Sequence, residues 1–166
     1  MEFIKSILRL LQLLWVLLAT ALLGNVVATN GGRVGTPALH FTMFVCAISW
    51  LTVLYGLVAH FVAAIAVPIA LLALDALATL FTFIAAVVLS AKLTAVNCKN
   101  LDGKDPSYIA FGSSNDEKRC REIQGGIVFL WFLFATFGAS LFFVFKDFRL
   151  GGGSIRRGPN MSQIGV

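Results

Sequence analysis

Asp75 is the residue best placed to do chemistry in this chain, because it is a carboxylate with long apolar sequence on both sides. An ionised Asp near the middle of a membrane helix costs about 2.5–3.5 kcal/mol on insertion scales, so such a residue needs a proton, an ion or a polar partner. Thr79 and Thr82 follow at i+4 and i+7 and continue one polar stripe on a helix face. Thr42, Cys46 and Ser49 repeat that spacing in the preceding apolar run. The stripe is either a proton or ion site, or a contact for a lipid head group or sphingoid amine. Alternatively, Asp75 makes a structural hydrogen bond between helices, with its carboxyl protonated. No Lys or Arg falls inside any of the long apolar runs, which favours the structural reading.

The cysteines offer a second kind of chemistry. Cys46 lies within an apolar run, whereas Cys98 and Cys120 bracket a polar stretch. A bridge between the latter two would close a loop of about 20 residues and contribute roughly 3 kcal/mol in the chain-entropy model. Two free thiols are the alternative; zinc is disfavoured because no His lies nearby. His40 and His60 sit near opposite ends of one apolar run, too far apart to share a metal. The sequence contains no H-E-x-x-H, P-loop, G-x-S-x-G or C-x-x-C. Gly125-Gly126 and Gly151-Gly152-Gly153 follow no predicted strand, and Gly125-Gly126 suits close packing of helices instead. No catalytic residue, metal or cofactor is therefore expected. Most of the basic charge flanks apolar runs, which fits a membrane surface and not nucleic acid.

The elements that must position these residues are membrane helices. Only 13% of the 166 residues are charged and 58% are hydrophobic, against about 25% charged in a soluble domain. Mean hydropathy is +0.88. Four stretches, residues 10–27, 38–61, 67–91 and 123–145, are long and apolar enough to span a bilayer. A barrel would instead show short alternating segments. The expected fold is all-α, a four-transmembrane-helix bundle over residues 1–147 with a flexible tail at 148–166. Ala19-Thr20-Ala21 looks like a signal-peptide cleavage site, but the apolar run continues to Val27, so a retained span is expected. Residues 30–37 are a turn-rich loop, and Pro68 suits the first turn of the third helix. Residues 92–122 form the long polar loop. Residues 123–145 carry many rings, whereas the third span is rich in alanine.

Basic residues do not orient the bundle. Lys5, Arg9, Lys146, Arg149, Arg156 and Arg157 stand on the side of the termini, and Arg33, Lys92, Lys99, Lys104, Lys118, Arg119 and Arg121 on the other. These counts are too similar for the positive-inside rule to decide. A Cys98–Cys120 bridge would decide, because disulfides persist on the oxidising face. It would put residues 92–122 outside and both termini in the cytosol.

Residues along the whole chain carry a family resemblance. Met43-Phe44-Val45-Cys46-Ala47 is followed by Tyr55-Gly56-Leu57-Val58-Ala59, Pro68, Leu74-Asp75-Ala76-Leu77 and Phe81-Thr82-Phe83. Cys98-Lys99-Asn100 and Arg119-Cys120-Arg121 frame the loop, and the chain closes on Gln163-Ile164-Gly165-Val166 after a Gly/Ser run and a short basic cluster. In order and spacing these resemble the MARVEL domain, and within it the fungal plasma-membrane family of non-classical export proteins associated with eisosomes. The resemblance implies a non-enzymatic organiser of plasma-membrane microdomains such as eisosome or furrow-like compartments, responsive to sphingolipid or sterol. It also implies cytosolic eisosome coat proteins as partners, and the small-residue helix faces add the expectation of homo-oligomers. Lys146, Arg149, Arg156 and Arg157 would meet anionic head groups. The competing expectation is a small oligomeric transporter or channel using Asp75 as its intramembrane ion or proton site. A lipid-modifying enzyme lacks a nucleophile or metal site.

Overall fold

The structure, a computed structural model, describes residues 2–29, 36–62, 67–101 and 103–150. It is an all-α four-helix bundle: α1 (Glu2–Ala28), α2 (Thr36–Phe61), α3 (Pro68–Leu93) and α4 (Asp116–Leu150). All four are long and apolar enough to cross a membrane. A helix of 26 residues, as in α2 and α3, is roughly 39 Å long, against a hydrocarbon core of about 30 Å. Each helix therefore continues into the head-group layer. For that reason the helices overrun the boundaries set by hydropathy. α1 starts at Glu2, not near Leu10, and α4 takes in the polar turn before Ile123. Asn115 caps α4, its Oδ1 accepting from the Lys118 N–H at 3.0 Å. Pro68 sits in the first turn of α3, as expected.

The helices are arranged as a ring, each packed on its sequence neighbours, with α4 closing on α1. α1 and α3 thus stand diagonally opposite. The buried positions of α1 are Arg9, Gln12, Val16, Ala19, Leu23 and Val26. Those of α4 below Cys120 are Ile123, Gly126, Leu130, Leu133, Phe137 and Ser140. Both sets alternate steps of three and four, the pattern of left-handed helix packing. Where α1 meets α4 the Leu22 and Leu23 side chains lie against the glycine backbone: a Cβ on Gly126 would lie 2.6 Å from Leu23 Cδ2, and one on Gly125 3.0 Å from Leu22 Cδ1. The glycine pair thus serves helix packing.

The core is layered along the bundle axis. An apolar cluster around Leu23, Leu39, Leu89 and Ile123 fills the end facing the α3–α4 loop. A second, around Val16, Val53, Leu133 and Phe137, fills the middle. The loop end is closed firmly. Cys98 and Cys120 are joined by a disulfide with their Cα atoms 5.6 Å apart. Within that loop Ile109 and Ala110 are buried. Buried Arg119 donates from Nε to the Ile109 carbonyl at 3.1 Å and from Nη1 to the Val26 carbonyl at 3.0 Å. Gln124 donates to the Val96 carbonyl at 3.1 Å, and Tyr108 donates its hydroxyl to the Leu93 carbonyl.

Candidate functional site

The opposite third of the bundle has a different interior. Its described buried residues are Arg9, Gln12, Gly56, Ala59, Asp75 and Ser140. Arg9 Nη1 donates to Asp75 Oδ1 and Arg9 Nη2 to Asp75 Oδ2, both at 2.7 Å, a bidentate pair. Arg9 Nη1 also donates to Gln12 Oε1 at 3.0 Å, and Gln12 Nε2 donates to the Thr136 carbonyl at 3.1 Å. Ser140 Oγ lies 3.5 Å from Asp75 Oδ2. Side-chain exposure is 9% for Arg9 and 0% for Asp75.

All four helices build this cluster. Neighbouring axes about 8–10 Å apart put diagonal axes roughly 13 Å apart, a gap that a long Arg side chain can bridge. The route is left open by α2. A Cβ on Gly56 would stand 2.6 Å from Arg9 Nε and 2.7 Å from Cζ. The guanidinium therefore lies against bare backbone at Gly56, where any side chain would displace it.

The pair changes the reading of Asp75. With no cation inside an apolar run, the sequence favours a structural hydrogen bond between helices for Asp75; the structure gives that bond a charged partner, Arg9 on α1. Hydropathy sets Arg9 ahead of the first span, but α1 begins seven residues before it and carries Arg9 on its buried face. The step pattern Arg9, Gln12, Val16, Ala19, Leu23, Val26 is the available signal. Extending it back from the apolar core puts Arg9 in register with that core. Nothing in local composition points to Gly56 or Ser140, which are linked to the pair only by the tertiary fold.

The other stripe residues do not join the network. Thr79 donates to the Asp75 carbonyl and Thr82 to the Ala78 carbonyl, each at 2.6 Å within α3. Thr42 and Ser49 likewise donate to the carbonyls of Ala38 and Val45 within α2. These hydroxyls are satisfied by their own helices and provide no polar path across the bundle. Lys146 is exposed near the end of α4, and Arg149 lies 5.2 Å above the Phe145 ring. Arg156 and Arg157 lie outside the described residues. Among the described residues, no three of His, Cys, Asp and Glu gather as a metal site.

In low dielectric the two charges of the pair neutralise each other, and the geometry uses both carboxylate oxygens. Chemically it is a closed, charge-balanced fastening between the first and third helices.

Comparison with known proteins agrees with this architecture. The membrane-associating (MARVEL) domain model matches residues 2–143. Non-classical export protein 2 of Saccharomyces cerevisiae is 32% identical over 97% of this chain and 93% of its own length. Non-classical export protein 2 homolog 1 of the same yeast is 28% identical over 76% of this chain and 71% of its own. No solved structure matches. With four long apolar helices and a family match over nearly the whole bundle, the chain belongs to the MARVEL-domain membrane proteins and is related to the fungal non-classical export proteins.

Proposed function

We propose that this protein is a non-enzymatic organiser of plasma-membrane microdomains of the eisosome or furrow type, lipid-responsive and self-associating, with both termini in the cytosol. The observation carrying this reading is the contrast between interior and exterior. Inside, the polar groups of the Arg9 cluster bond one another. Outside, every helix presents large apolar groups, among them Leu14, Phe44, Leu51, Phe83, Trp131, Phe132 and Phe142. Activity then belongs to the lipid-facing surface. Kinship with the yeast proteins supports the same reading. The disulfide across the α3–α4 loop supports the orientation proposed, since such bonds persist on the oxidising face. On the cytosolic side Lys146 and Arg149, with Arg156 and Arg157 in the tail, meet anionic head groups, each contributing about 1 kcal/mol.

The test is lateral distribution in fungal cells. A fluorescently tagged chain is expected to cluster in furrow-like patches and to disperse when sphingolipid synthesis is inhibited or residues 151–166 are deleted. Uniform distribution under every condition would sink the proposal. The transporter reading is tested beside it in proteoliposomes: ion flux that vanishes with Asp75→Asn would favour transport. The engagement of both Asp75 oxygens by Arg9 weighs against that outcome.

A further inference from the structure

The two ends of the bundle are fastened by different means. The loop end has a disulfide, a buried apolar cluster and the Arg119 bonds that tie α4 to both the loop and α1. The termini end has a polar interior. Among the described residues its diagonal closure is the pair Arg9–Asp75, braced by Gln12 and Ser140. Apolar packing in lipid gains little from helix association, since lipid tails are as apolar as the side chains they replace. The pair therefore has a large share in holding the termini end shut.

Its depth makes that share depend on the bilayer. Asp75 is seven residues into α3, about 10 Å along the axis. If the helix overrun is divided between the two ends, the pair lies roughly 6 Å inside the hydrocarbon boundary. In a bilayer thinner by roughly 10–12 Å, a loss shared between its two faces, the boundary comes up to the pair and water can compete for it. The attraction between the charges then falls with the rise in effective dielectric. Arg9, the more exposed partner, is reached first.

We propose that Arg9–Asp75 is a latch read by membrane thickness: in a thick bilayer the termini end is shut, and in a thin one it opens while the disulfide end stays closed. The inference rests on the lipid-responsive reading and supplies its moving part. A bundle opened on one face has a different cross-section in that leaflet, which changes the lipids and copies it packs against.

The experiment is pulsed electron–electron distance measurement on the full chain in nanodiscs, with Cys46→Ala removing the free thiol. One labelled pair, Ile7→Cys with Ala73→Cys, reports the termini end. A second, Ala28→Cys with Ala91→Cys, reports the loop end. All four positions are exposed. Nanodiscs of dierucoyl, dioleoyl and dimyristoleoyl phosphatidylcholine form the thickness series. The termini-end distance is expected to widen by about 2 Å or more in the thinnest lipid, the scale of helix shifts at interfaces, with the loop-end distance unchanged. The Arg9→Gln/Asp75→Asn double variant is expected to be open in all three lipids. Unchanged termini-end distances across the series, or equal movement at both ends, would overturn the latch. Because the measurement uses purified protein, its failure leaves the organiser reading to be judged by clustering in cells.

Discussion

At the scale of single residues, burial of the Arg9–Asp75 pair sets the size of its mutational effects. Removing one partner leaves the other as an uncompensated charge in low dielectric, which typically costs about 3–5 kcal/mol. Arg9→Gln and Asp75→Asn are therefore each expected to lower stability by about that much, measured by detergent-titrated unfolding. The double substitution leaves no isolated charge, so it is expected to cost much less than the sum of the two. Gly56→Ala tests the same site sterically. Its Cβ would overlap the guanidinium, and overpacking of this kind costs about 1–3 kcal/mol. If Gly56→Ala is as stable as the parent, Arg9 does not need the bare backbone beside it. The threonines supply a contrast. Thr79→Val removes a bond within one helix and touches no other, so its effect is expected to stay below about 1 kcal/mol.

At the scale of elements, much is legible in the sequence because a continuous apolar run of spanning length fits little besides a membrane helix. The four helices, the place of Pro68 and the packing role of Gly125-Gly126 all follow from residue type and spacing. The helix ends are less legible, since hydropathy marks the lipid boundary while the backbone stays helical into the polar layer. That offset hides Arg9. A charge-free apolar window begins after it, yet the core register of α1 includes it. The loop end makes its own prediction. The bridge ties residues 22 apart and is expected to contribute about 3 kcal/mol in the chain-entropy model. A Cys98→Ser/Cys120→Ser variant should melt lower than the parent. Reductant should lower the melting point of the parent and leave that of the variant unchanged. Equal melting of parent and variant would show that Arg119 and the buried Ile109–Ala110 segment hold the loop by themselves.

At the scale of the whole molecule, self-association is expected through the lipid-facing surface, where α3 presents Ala73 and Ala76 among larger apolar groups. Mass measurement of nanodisc particles across a range of protein-to-disc ratios checks this. Particles that stay monomeric at every ratio would remove self-association from the proposed function.

The diagonal pair also bears on how the chain is made. Its two partners are 66 residues apart, and α1 leaves the ribosome long before α3. During that interval α1 holds Arg9 with no carboxylate to meet it, so the nascent helix should sit shallow, with Arg9 at the cytosolic head groups in the proposed orientation. Arrival of Asp75 would then draw α1 inward by about a turn. An arrest-peptide force profile along the chain is expected to show a late pull as α3 enters the bilayer, and that pull should weaken in Arg9→Gln. Insertion of the first helix would thus be completed by the third.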